Sequence, residues 1–177
     1  MELNMSARYG ARRSTSFRKN RFTACVKAAA VCTALAAAAL TPHAATAASS
    51  TIVISQIYGA GGNTNATYAN DYVELFNLSA SPVSVTGWSV QYASATGTGN
   101  FSANGAVALS GTIPAGGYYL VKLAGGTIGA ALPAADATGT INMAAGGGKV
   151  IVANVATGLT CNGSSTPCSA AQLAQIV

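Results

Sequence analysis

Residues 72–77, YVELFN, constrain this chain more than any other stretch. They form an aromatic, β-branched and apolar run with a single carboxylate, Glu74, set inside it. Successive side chains of a strand point to opposite faces, so Tyr72, Glu74 and Phe76 share one side while Val73 and Leu75 share the other. Residues 78–82 supply turn chemistry, because Pro82 fixes its own φ and biases Ser81 toward an extended conformation. Val83 and Val85 then point one way in a short strand, and Gly87 punctuates it. Beyond it Trp88, Val90 and Tyr92 alternate with Ser89 and Gln91. The pattern over 71–92 predicts a compact antiparallel meander with one apolar face, forming core rather than an active site. Tyr72, Phe76, Trp88 and Val90 are its expected core residues, joined by Tyr119 from a later strand.

The flanking sequence has the same character. Residues 51–58 (TIVISQIY) are β-branched and alternating, and GAGGN ends them. Gly59, Gly61 and Gly62 would cradle a phosphate only if a helix began at once, with its amides facing the anion. TNATYAN follows without a helical period, so the stretch reads as an inter-strand loop. Residues 93–105 read as a long polar loop with Phe101 tucked inward. Residues 107–109 and 118–123 read as strands separated by the turn SGTIPAGG. Pro133 excludes a helix interior from 124–137, residues 140–143 are weakly extended, and KVIVANV is strongly β-prone. Six or seven strands with closely spaced turn signals and no convincing helix predict an all-β sandwich with Greek-key connections.

Charge separates the chain into two parts. Seven of its nine basic residues precede position 28, leaving Lys122 and Lys149 against Asp71, Glu74 and Asp136 in the remainder. A basic stretch to Arg21 is followed by an Ala/Val/Leu-rich run over about 24–40, and then by the small-x-small site Ala45-Thr46-Ala47. That is the anatomy of a secretory signal peptide over 1–47, cleaved between Ala47 and Ala48, with either Met1 or Met5 as the start. The apolar run falls short of the roughly 20 residues that span a bilayer, which weighs against a retained anchor. Cys25 and Cys32 leave with the leader. A secreted domain over 48–177 is expected, with no membrane span once the leader is removed. Its composition, half hydrophobic with only 7% charged residues, suits a folded β domain better than disorder.

Cys161 and Cys168 flank NGSSTP, and two cysteines in an exported chain read as a disulfide. Zinc needs two further ligands, and the only histidine, His43, lies in the leader. After the leader there is neither histidine nor arginine, so the usual base for a nucleophile and the usual phosphate clamp are both missing. Asp71 and Glu74, three apart on a strand, face opposite sides and cannot act as an acid–base pair across one substrate. No catalytic, cofactor-binding or metal-binding residue is therefore assigned. Glu74 either sits on the solvent face or accepts hydrogen bonds from loop amides, with a share in a calcium or partner site as the remaining reading. Two lysines against three acids predict no strong nucleic-acid binding. The tyrosines offer stacking platforms for sugars or bases, although at strand positions core packing is the commoner role.

VELFN, the Pro-Val-Ser-Val turn and GWSVQY together resemble the central motif of the lamin tail domain. The resemblance extends through IVISQIYGAGGN, IPAGGYYLVK and DATGTINMAAGGGKVIVAN, in the order of its bacterial secreted branch. It implies an immunoglobulin-like β-sandwich and a secreted habitat. In that family the domain usually continues after this point with an apolar strand of the Asp-x-Val-Gly-Tyr-Gly kind. The chain lacks those residues, so its sandwich is expected to miss its last strand, with Ile176-Val177 opening another. The expected function is a non-catalytic, secreted module for protein or cell-surface contact or anchoring. The alternative is the amino-terminal accessory module of a secreted nuclease or phosphatase of the endonuclease/exonuclease/phosphatase type.

Overall fold

The computed structural model describes residues 51–177. The leader over 1–47 and its cleavage site at Ala47/Ala48 lie outside the described residues.

The first sheet is built on the stretch that dominates the sequence. β1 (Ile52–Tyr58) and β2 (Asn70–Asn77) pair antiparallel, and β2 pairs antiparallel with β7 (Tyr118–Gly125). β8 (Ala137–Thr138) adds in parallel to the far side of β7, giving the order β1-β2-β7-β8. The second sheet places β4 (Ser89–Ser94) between β5 (Ala106–Ala108) and β9 (Gly148–Ala153). β3 (Val83–Ser84) and β6 (Thr112–Ile113) form a short separate pair.

Both sheets contribute to one core. Val73 and Leu75 from β2 and Val121 and Leu123 from β7 pack in a single cluster with Val90, Tyr92, Val107 and Val152 of the second sheet. Val85, Ile113, Ile141 and Met143 join it from the connections. This is a β-sandwich, as the strand pattern and turn spacing imply, and an immunoglobulin-like one, as the resemblance to the lamin tail domain implies. Among the residues expected in the core, Val90 and Tyr119 are buried in this cluster and Trp88, half-buried, packs against it.

Four expectations need correction. β2, β3 and β4 are consecutive in sequence but pair with none of one another, each belonging to a different sheet, so 71–92 is not a meander. The turns after β2 and β3 separate these strands, so that β2 pairs with β1 before it and with β7, β3 with β6, and β4 with β5 after it and with β9. Tyr72 and Phe76 lie on the outer face of β2, because that strand buries Asp71, Val73, Leu75 and Asn77 instead. The weakly extended stretch at 140–143 forms no strand, although the Ala124 amide of β7 donates to the Ile141 carbonyl at 3.0 Å, and the parallel ladder with β7 lies earlier, at Ala137–Thr138. One turn of α-helix, α1 (Ala170–Leu173), is present where no helix was expected. The Ser169 hydroxyl accepts from the Gln172 amide while the Gln172 side chain accepts from the Ser169 amide, a reciprocal cap that stabilises a helix too short to show a hydrophobic period.

The second sheet is covered on its outer side as well. A smaller apolar cluster there comprises Ala93, Phe101, Leu159 and Cys161, with Ile151, Val155, Cys168 and Ile176 against it. Phe101 heads a 3-10 turn (Phe101–Asn104) whose first amides donate to the carbonyls of Cys161 and Leu159 at 2.9 Å each. Beyond α1, Ile176 bridges antiparallel to Ala153, and the Val177 amide donates to the Val152 carbonyl at 2.9 Å. The final residues thus line the free edge of β9.

Candidate functional site

The outer face of the four-stranded sheet is the part of the fold that presents chemistry to solvent. Strand register sets three cross-strand rows on it. Tyr58, Tyr72 and Lys122 form one row, Gln56, Glu74 and Leu120 the next, and Phe76 with Tyr118 a third. Alternation along β2 makes this face from the same parity that buries Val73 and Leu75 on the other side.

Tyr58, Tyr68 and Tyr72 close one end of the face. The Tyr58 and Tyr72 rings stack with centroids 5.6 Å apart, and Tyr68 stands edge-on to both at 5.5 and 5.7 Å. Such offset and T-shaped arrangements suit the quadrupoles of the rings. The Tyr72 hydroxyl donates to Gln56 Oε1 at 2.9 Å, and the Tyr58 hydroxyl accepts from the Thr67 amide at 2.9 Å. Partial burial, followed by the neighbouring Tyr68, Glu74 and Tyr58, holds the Tyr72 phenol above its ordinary pKa. Among the described residues Glu74 accepts from the Ser55 hydroxyl at 2.6 Å and from no loop amide, and it lies on the solvent face.

Beside these rings lies an open cavity of about 200 Å³. The sheet supplies its floor with Gln56, Tyr72, Glu74 and Leu120, while Tyr68, Leu132 and Pro133 form its walls. Those walls come from two loops that are joined by main-chain bonds. Ala69 donates to the Ala130 carbonyl and Ala130 donates to the Thr67 carbonyl, both at 2.8 Å. Gly129 makes the junction possible: its φ is +104°, and a Cβ there would lie 2.4 Å from the Tyr68 carbonyl carbon.

Asp71 is the acid that sequence reasoning passed over. It is buried, and its two carboxylate oxygens accept from the Gly61 and Met143 amides at 2.8 Å each. The glycine loop thus donates to a side-chain carboxylate, and Gly61 packs so closely on β2 that a Cβ would meet the Asn70 carbonyl carbon at 2.0 Å. Asn77, also fully buried, donates to the carbonyls of Ser81, Ile113 and Pro114 and accepts from Ser79. The signal for both was available, since positions 71 and 77 share the parity of Val73 and Leu75 and so point inward. Asp136 accepts from the Leu120 amide at 2.7 Å. The three acids therefore occupy separate places, and among the described residues no group of three His, Cys, Asp or Glu side chains converges to hold a metal.

Cys161 and Cys168 are joined as a disulfide. Asn162 organises the loop they enclose, donating to the Ser165 hydroxyl at 2.8 Å and accepting from the Ser164 and Thr166 amides. Among the described residues no helix is long and apolar enough to cross a membrane.

The family model of the lamin tail domain matches residues 45–167. No curated protein matches the chain.

Proposed function

The chain belongs to the lamin tail domain family, and from that premise we propose that it is a secreted, non-catalytic module that attaches to a protein or cell-surface partner. The family is one of non-catalytic immunoglobulin-like domains, and the separation of the acids supports that reading here. Asp71 is committed to two amides in the interior, Glu74 lies on the opposite face of the same strand, and Asp136 caps a backbone amide on β7. Acid–base hydrolysis needs two such groups facing one bond, and phosphoryl chemistry needs a convergent set. The disulfide is compatible with an oxidising, extracytoplasmic location. Lys122 is the one lysine on the outer face of the first sheet, while the Lys149 ammonium is buried, so the described surface offers little attraction to a phosphate backbone.

The test is to export the full chain from a bacterial host and follow it in two assays. Incubated with washed cells of that host, the protein is expected to partition to the cell surface. Given double-stranded DNA or an aryl phosphate with Mg²⁺, Mn²⁺ or Ca²⁺, it is expected to turn over neither. Metal-dependent cleavage that vanishes in a folded Glu74→Ala variant would overturn the non-catalytic reading, and failure to bind any surface would overturn attachment.

A further inference from the structure

The cavity on the outer face carries a more specific inference about what the module holds. We propose that the cavity between Tyr68, Tyr72, Glu74, Gln56 and Pro133 binds a neutral hexose unit of a polysaccharide. This rests on the attachment reading above and names the chemical class of its partner.

The cavity sets a hydrogen-bond donor beside an acceptor. Gln56 Oε1 accepts from the Tyr72 hydroxyl and Glu74 Oε1 accepts from the Ser55 hydroxyl. Among the described residues, the Gln56 amide NH₂ and Glu74 Oε2 have no partner, and both residues line the cavity. One donor and one charged acceptor side by side match adjacent hydroxyl groups, each of which both donates and accepts. An anionic ligand would be repelled by Glu74, the only charged group in the lining.

Apolar surface stands beside them. Tyr68, Tyr72, Leu120, Leu132 and Pro133 offer aromatic and aliphatic surface to the C–H face of a pyranose ring. At about 200 Å³ the cavity is smaller than the roughly 300–1,000 Å³ that enclose drug-sized ligands. It suits one ring of a longer molecule. Phe76 and Tyr118, with ring centroids 4.7 Å apart, extend the same face, four residues along β2 from Tyr72 or about 13 Å at ~3.3 Å per residue. A polymer lying along the strand can touch both places. The site is preorganised: the two walls are already tied together through Ala69, Ala130 and Gly129, so ligand binding need not order them.

Affinity electrophoresis of the full exported chain tests the assignment. The gels contain mixed-linkage β-glucan, galactomannan, xyloglucan or glycogen, with polygalacturonate as an anionic control. Retardation by at least one neutral polymer is expected. Glu74→Gln, which keeps side-chain shape, and Tyr72→Leu, which replaces the ring with a smaller aliphatic group, should each weaken it by about tenfold, and Tyr118→Ala by less. Leu173→Ala, on α1, should change nothing. A retained melting transition shows that each variant folds. No retardation by any neutral polymer, retardation by polygalacturonate alone, or retardation indifferent to both cavity variants would overturn the proposal. Should wild type bind washed cells while both cavity variants bind them equally, the cavity assignment fails and attachment stands. Should neither wild type nor variants bind cells while gel retardation holds, attachment to that surface fails and the cavity assignment stands.

Discussion

The outer faces of the two sheets start from the same sequence grammar and end in opposite environments. On β2, Tyr72, Glu74 and Phe76 alternate with buried Val73 and Leu75 and remain partly open to solvent. On β4, Ser89 and Gln91 alternate with Val90 and Tyr92 in the same manner, yet both are completely buried. The segment that carries the disulfide lies over them. The Ser89 hydroxyl donates to the Val155 carbonyl at 2.7 Å, and the Gln91 amide donates to Ser89 Oγ and to the Thr157 carbonyl. Gln91 Oε1 in turn accepts from the Leu159 amide at 2.8 Å. One polar face is thus free to meet a ligand, and the other is spent on holding down the chain's own last third. A polar residue opposite a core position says which side it faces and nothing about whether that side is wet.

Matched substitutions should break this symmetry most visibly. Gln91→Ala removes three hydrogen bonds from a buried site and strands the Leu159 amide and the Thr157 carbonyl. It is expected to lower unfolding free energy by about 3 kcal/mol. Glu74→Ala, on the open face, should stay within about 0.5 kcal/mol of wild type. Urea denaturation of both measures the contrast, and equal losses would mean that the outer face of β2 is also structurally committed.

Removing the disulfide sharpens the picture of the cover. For so short a closed loop the chain-entropy estimate is about 2.5 kcal/mol, and a Cys161→Ser, Cys168→Ser double variant should lose that much or less. The Phe101 and Ser102 amides, which donate into 159–161, should lose hydrogen-exchange protection well before those of β2 and β7. Uniform loss across both sheets would show that the cover and the sandwich unfold as one unit.

Lys149 offers a gain on the same covered side. It stands opposite Ala93 on β9, and its ammonium is buried with no hydrogen-bond partner among the described residues. Lys149→Met keeps the aliphatic stem and removes the desolvated charge, so a stabilisation of about 1 kcal/mol is expected in thermal melts. A loss instead would reveal an acceptor that the ammonium reaches on the covered face.

The smallest effect belongs to the open face. With its phenol pKa raised in the fold, neutral Tyr72 is favoured by folding. Its contribution is fully present below the unfolded value of about 10 and is lost as pH climbs through the folded value. Tyr72→Phe should therefore delete an ultraviolet ionisation step above the ordinary tyrosine range and slightly flatten the alkaline decline in stability. An unchanged titration curve would show that another tyrosine carries that step.

Much of the sandwich was legible because alternation is a local property. The strands at 52–58, 70–77, 89–94, 118–125 and 148–153 follow from β-branched and aromatic runs bounded by glycine, proline and polar turns. The disulfide followed from two cysteines in a chain expected to be exported, and the family from the order of its motifs. The candidate site was legible only in part. Glu74 stood out as a charge in an apolar strand, but its neighbours Gln56, Tyr68, Leu132 and Pro133 come from three separate stretches and share no local pattern.

Taken alone, then, the order of residues determined which side chains share a face, since that depends only on the two-residue period of a strand. It also determined that Asp71 and Glu74 would part company. Tertiary structure alone decided which face turns inward and what covers the other. Tyr72 and Phe76 are as hydrophobic as many core residues, but β2 carries Val73 and Leu75 on the alternate side, and those smaller apolar groups fit between the sheets. Partnership was likewise a tertiary matter. β2 joins β1 and β7 while β4 joins β5 and β9, so each takes one partner next to it in sequence and one far along the chain, and the distant partners complete the two sheets that bury the apolar core between them. The same closure left one outer face bare beside a pocket and laid the disulfide segment across the other.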